Sequence, residues 1–167
     1  MNHLAQRKAA ITVILVLIAG TLACKVTTPA SQPAGLIVQF TVQANQGWNG
    51  TGIRVETGDL VEIQRQSGVW TYWAGQISPF DAEGNPQAYI CATEQEASQC
   101  VEPLPEANKG ALIARVGDAT PVYIGNHSAF RAATTGALEL SMNDSSLAID
   151  LADNEGFIAV EITVSTP

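Results

Sequence analysis

The densest group of oxygen-bearing side chains in this 167-residue chain runs from Asn143-Asp144-Ser145-Ser146 through Asp150 to Asp153-Asn154-Glu155-Gly156. Carboxylates and amides spaced this closely can converge on a hard cation. Ca2+ takes about six to eight oxygens from carboxylates, amides, main-chain carbonyls and water. The same residue types also build ordinary turns, so spacing alone leaves both readings open. The spacing of an EF-hand loop is absent. Asp81-Ala82-Glu83-Gly84-Asn85 is a second acidic group and reads more simply as a solvated turn.

Trp48, Trp70, Tyr72 and Trp73 offer faces on which sugar C–H groups can stack. In a small all-β domain such rings more often fill the core. Trp48 falls in a turn context between Gly47 and Asn49, and Trp70 and Trp73 straddle a short strand. Covalent and acid–base chemistry is poorly supplied. His127 lies in a turn-like Gly-Asn-His-Ser run, and there is no G-x-S-x-G elbow and no His cluster for zinc. No nucleophile–base pair is visible. The expectation is a binding protein with no catalytic residue.

The elements that would position these groups read as strands. Leu36 to Ala44, Leu60 to Gln66, Ala137 to Met142 and Phe157 to Val164 alternate apolar and polar residues. Gly68 to Trp73, Ala111 to Val116 and Val122 to Ile124 are shorter runs of the same kind. Period-two alternation bounded by Gly, Asn, Asp and Pro marks half-buried strands. Short strands at this spacing predict an all-β fold, a β-sandwich or jelly roll. No stretch carries a capped 3.6-residue period. Ser78 to Gly110 is the least strand-like segment and reads as a long loop.

Ahead of the strands the chain has a different character. Arg7 and Lys8 precede an apolar run to Gly20, and Thr21-Leu22-Ala23 leads into Cys24. That is the layout of a secretory signal. The run is shorter than the ~20 apolar residues that span a membrane. Small residues before a Cys resemble a lipobox, although Leu stands at −2 rather than −3. Cysteine parity supports lipidation. Cys91 and Cys100 lie nine residues apart in an exported protein, which suggests a disulfide and leaves Cys24 as the odd thiol. Closing so short a loop contributes about 2–3 kcal/mol in the chain-entropy model. Cleavage at the same bond by an ordinary signal peptidase would leave Cys24 bare.

The expected organisation is therefore a signal peptide over residues 1–23, a lipidated Cys24 with a Pro/Thr/Ser-rich tether to Gly35, and one folded domain over 36–167. The anchor places the domain outside the cytoplasm on a membrane, held by its acyl chains. From Cys24 onward six Lys+Arg face sixteen Asp+Glu, a formal charge of −10. Such a surface repels nucleic acid and anionic lipid. It suits a divalent cation, or simply keeps an exported protein soluble.

The order of several short segments adds a resemblance. Val42-Gln43-Ala44-Asn45-Gln46-Gly47-Trp48-Asn49-Gly50-Thr51-Gly52-Ile53 is followed by Gly58-Asp59-Leu60-Val61-Glu62-Ile63 and Gly68-Val69-Trp70. Then come Gly110 to Asp118, Ile124-Gly125, Gly136 to Asp144 and Asp153-Asn154-Glu155-Gly156. This pattern resembles the PA-I galactophilic lectin family, among the galactose-binding-like jelly rolls, over nearly all of Leu36 to Val164. The resemblance implies a sandwich with Ca2+ at one end, where sugar hydroxyls complete the metal's coordination. It implies metal ligation by Asp144, Asp153, Asn154 and the Trp73 carbonyl, and sugar contacts from Asp144, Asp153 and Gln87. A further carbonyl ligand would fall within Leu147 to Ala152. The family's sugar-contacting His has no counterpart, since Gly84 stands near its place. The implied activity is calcium-dependent carbohydrate binding, with galactose-type sugars as the ligands the family suggests. The alternative is a structural or protein-interaction lipoprotein in which calcium only stabilises the native state.

Overall fold

A computed structural model describes residues 35–88, 90–145 and 148–167, without the side chains of Ala148 and Ile149. The signal peptide, Cys24 and the tether up to Ala34 lie outside the described residues, and so do Ser146 and Leu147.

Nine strands are present among the described residues. They are β1 (Leu36–Gln43), β2 (Asn49–Val55), β3 (Leu60–Ser67), β4 (Trp70–Thr71), β5 (Leu112–Val116), β6 (Val122–Tyr123), β7 (His127–Arg131), β8 (Gly136–Met142) and β9 (Glu155–Ser165). They form two antiparallel sheets. One has the order β1-β9-β3-β7, with β4 added beside the start of β9, and the other has the order β2-β8-β5-β6.

The alternation in the sequence explains the layers. In β9, Ile158, Val160, Ile162 and Val164 are buried while their neighbours are not. They register opposite Val42, Phe40, Val38 and Leu36 of β1, and Ile162 and Val164 also face Ile63 and Val61 of β3. In the second sheet Leu138, Leu140 and Met142 of β8 lie opposite Val116, Ala114 and Leu112 of β5. All six are buried, and the two inner faces share one core. Each fully buried Leu, Ile or Val stabilises the fold by about 1.5–3 kcal/mol relative to exposure. Trp70 is the largest side chain in that core, and its Nε1–H donates to the Gly110 carbonyl at 2.9 Å.

Several expectations need correction. β2 and β7 do not stand out as strands in the sequence. His127, read as a turn residue, opens β7, and its Nε2 lies 2.9 Å from Glu62 Oε1 of β3, two rungs away from its direct partner Gln64. The run from Gly68 to Trp73 is strand only at Trp70–Thr71. As expected, the described residues of the long 78–110 segment are loop, apart from a single helical turn, α1 (Cys91–Glu94), and a 3-10 turn at Ala97–Gln99. It is closed by the Cys91–Cys100 disulfide. A second helical turn, α2 (Ala148–Leu151), lies between β8 and β9. No helix among the described residues is long and apolar enough to cross a membrane.

The acidic turn at 81–85 is a brace. Asp81 Oδ1 accepts the Glu83 N–H at 2.9 Å and its Oδ2 accepts Asn126 Nδ2 at 3.1 Å. Glu83 in turn accepts the Asn126 N–H at 2.8 Å and the Tyr123 hydroxyl. Burial pushes the Asp81 pKa up. The Glu83 N–H, the Asn126 amide and the Arg65 charge outweigh that and hold it below the ordinary value of 3.8. A depressed carboxylate stabilises the fold above its unfolded pKa, and the contribution is lost as pH falls through the folded one. The Asn126 side-chain amide resonances should therefore hold steady from neutrality to about pH 4 and move only below it. Movement centred well above pH 4 would show that the brace does not act on Asp81.

Candidate functional site

Four strand ends meet at one end of the sandwich. β8 runs out at Met142 into Asn143 and Asp144, and Leu112, which opens β5, pairs with that Met142. β4 pairs with the first residues of β9, Trp70 with Gly156 and Thr71 with Glu155. The loop after β4 is tied to the loop before β9 by the Ala74 N–H, which donates to the Asp153 carbonyl at 2.9 Å. The residues just beyond these ends are thus held in common by main-chain bonds.

A pocket of about 640 Å3 opens there, lined by Tyr72, Trp73, Ile77, Gln87, Ala88, Lys109, Asp144, Asp150 and Asp153. Sites for small ligands commonly measure roughly 300–1,000 Å3. Of the residues expected from sequence, Trp73, Gln87, Asp144 and Asp153 all line it. Asn154 is not on that wall but follows Asp153 directly and is buried. Cys91 and Cys100 lie near Glu102, but cysteines joined in a disulfide offer no thiolate to a metal.

The side chains divide by burial. Asp144 is only 3% exposed, whereas Trp73 is 52% exposed and presents its ring to solvent. Asn154 donates its Nδ2 to the Ala44 carbonyl at 3.2 Å, but its buried Oδ1 accepts no hydrogen bond among the described residues. Asp144 Oδ1 is also buried, and its partner is a lysine ammonium, that of Lys109, at 3.0 Å. A buried oxygen left without a donor, as Asn154 Oδ1 is, is costly unless something satisfies it, and carboxylate and amide oxygens are what a hard cation takes. In that respect the donor set fits calcium. The Trp73 carbonyl is more fully occupied, because it accepts the N–H groups of Gln76 and Ile77, each at 3.1 Å. Both lone pairs are then engaged, and ligation by this carbonyl requires the 73–77 turn to loosen.

Lys109 is the residue that sequence reading missed. Its Nζ lies 3.0 Å from Asp144 Oδ1 and 3.7 Å from Glu102 Oε1. It also sits 5.0 Å from the centroid of the Tyr72 ring. Burial lowers the Lys109 pKa, but the contact and charge of Asp144, with the charge of Glu102, outweigh this and raise it above the ordinary lysine value. One signal was available in the sequence, since Lys109 is the only lysine after Lys25. Asp150, from the acidic cluster, and Tyr72, one of the aromatic residues singled out for stacking, also line the pocket.

Asn143 belongs to the acidic run but serves a different purpose. Fully buried, it accepts the Leu104 N–H through Oδ1 at 2.9 Å. Its Nδ2 faces the carbonyls of Leu104, Asn108 and Ala107 at 2.9, 3.2 and 3.4 Å. The side chain clamps the loop that carries Lys109 onto the end of β8.

Two antiparallel sheets packed as a sandwich are also found in lectin domains. One of them is the EclA N-terminal domain, described as a PllA-like lectin, which matches with a TM-score of 0.55 and 21% identity over 77% of this chain and 98% of that one. AJLec from the sea anemone Anthopleura japonica aligns over 81% of this chain and 96% of its own, at 8% identity and a TM-score of 0.44. No protein-family model matches the chain, and no curated protein does. At these identities the likeness concerns the fold.

Proposed function

We propose that the pocket beside Asp144 binds a carbohydrate, with a calcium ion held by Asp144, Asn154 and Asp153. The observation that carries this reading is the buried Asn154 Oδ1, which accepts no hydrogen bond among the described residues, beside the buried Asp144 carboxylate and a pocket with an exposed indole. Bound calcium would supply a positive centre that orients vicinal hydroxyls. Asp144, Asp153 and Gln87 accept or donate hydrogen bonds to the sugar, and the faces of Trp73 and Tyr72 take its C–H groups. The fold shared with a lectin domain is consistent with this use, and a galactoside is the first candidate ligand. The reading extends to a lipid anchor on Cys24 that holds the domain at a membrane surface outside the cytoplasm, an element that rests on the sequence alone.

Calorimetric titration of the full-length chain with calcium chloride, followed by a glycan array with and without calcium, tests the proposal. Binding at about 0.1–1 mM, the range of extracellular calcium modules, lost in Asp144→Ala together with glycan retention, is the expected result. A protein that ignores calcium at 10 mM, with a silent array, would instead be an interaction module on the same sandwich.

A further inference from the structure

The domain's one lysine stands against the carboxylate that the calcium reading needs most. Its backbone is fixed from several sides. The Lys109 carbonyl accepts the Asn85 N–H at 2.9 Å, the Gly110 N–H donates to the Asn143 carbonyl at 2.8 Å, and the Gly110 carbonyl accepts the Trp70 indole N–H at 2.9 Å. The side chain is therefore launched from a rigid point toward Asp144. Asp144 and Glu102 are 3% and 5% exposed in their side chains, and Lys109 is 26% exposed. A buried carboxylate with no positive partner is strongly disfavoured. A divalent ion on Asp144 Oδ1 and an ammonium 3.0 Å from that oxygen would repel each other at close range.

We propose that the Lys109 ammonium is a built-in counter-ion of Asp144, which a bound divalent cation must displace. This rests on the calcium reading above and adds a competitor to it. The flexible lysine stem, one face open to solvent, can swing out, whereas the Asp144 carboxylate stays at the end of β8. With the lysine in place the pocket is electrically satisfied and closed to metal. With it withdrawn, Asp144 and Asn154 present their oxygens to the ion. The observed metal affinity is the intrinsic affinity reduced by the fraction of molecules with the lysine withdrawn.

The test compares wild type, Lys109→Met and Lys109→Arg in the full-length chain. Methionine keeps much of the stem without the charge. In EDTA, Lys109→Met should melt roughly 5–10 °C below wild type, because Asp144 loses its partner. Its calcium dissociation constant, by calorimetry with calcium chloride, should fall at least about tenfold, and its melting temperature should rise more with calcium than that of wild type. Lys109→Arg should stay close to wild type in both. A readout that needs no variant is acetylation of Lys109 in wild type, mapped by mass spectrometry. Labelling should rise when calcium is added and the amine swings into solvent. If wild type binds calcium but Lys109→Met binds it no tighter, or calcium leaves Lys109 labelling unchanged or slower, the counter-ion role is wrong and the calcium site stands. If neither form binds calcium, the calcium site falls and the competitor with it. Binding by Lys109→Met alone would be the strongest support, since the lysine would then hold the wild-type site shut.

Discussion

Truncating Asn143 to alanine should cost the domain about 3–5 kcal/mol, measured by chemical denaturation. The side chain is fully buried and meets one main-chain N–H and three carbonyls of the 104–108 loop. Alanine leaves the Leu104 N–H and several of these carbonyls buried without partners, at about 1–3 kcal/mol for each group that water cannot reach. The loop it clamps carries Lys109 toward Asp144, so calcium affinity should change along with stability. A loss below about 1 kcal/mol would mean that the loop is held by its other bonds and that Asn143 is incidental.

The second large effect is expected at Gly156, where β4 meets β9. Its φ is +96°, and a Cβ there would lie 2.3 Å from the Val69 carbonyl oxygen and 2.9 Å from Trp70 Cα. Both clashes are with main chain, which cannot swing aside as a long side chain can. Gly156→Ala combines a left-handed backbone penalty of about 1–2 kcal/mol with that overlap, and a total loss of about 3 kcal/mol or more is expected. The rung Trp70–Gly156 and the Phe157 N–H bond to Val69 would part. Trp73 would then no longer be held beside Asp153, so indole emission should shift as stability drops. Gly50 is the internal control. A Cβ at that exposed position meets nothing within 4 Å, so Gly50→Ala should change stability by less than about 0.5 kcal/mol.

The sheets were legible in the sequence where burial is one-sided and the side chains are large. β8 and β9 alternate cleanly because one face of each packs on the shared core. β2 was not legible. Its sequence Asn-Gly-Thr-Gly carries two glycines, and its pairing with β8 shifts register between Gly50 and Arg54, so it reads as a turn until its partner is known. β7 contains one large apolar residue, Phe130, and buries no residue fully, which leaves little period to detect. In the site, Trp73, Gln87, Asp144 and Asp153 were named from residue type and family resemblance, and the fold brings them to one pocket. Lys109 was missed because its partnership spans 35 positions of sequence, between the loop that enters β5 and the loop that leaves β8, strands that are neighbours only in the folded sheet. Spacing rules see only neighbours along the chain. Asn143 shows the converse. A polar residue inside an acidic run looks like a ligand until its hydrogen bonds are traced to the main chain of a distant loop.

β1 has consequences for how the molecule bears load. It is an outermost strand, bonded along one side to β9, with Leu36 opposite Val164 at one extremity and Gln43 opposite Phe157 at the other. Tension applied through the chain ahead of Leu36 therefore acts on a single rung at a time, peeling β1 away from the Leu36 extremity rather than shearing all eight rungs together. Peeling needs far less force than shear, so this edge is the compliant part of the molecule. The Gln43–Phe157 rung is the last to open, and it adjoins Gly156 and the loop bearing Asp153 and Asn154. A pull on the N-terminal side would consume most of β1 before it disturbed the pocket, so the pocket end is mechanically insulated from that edge.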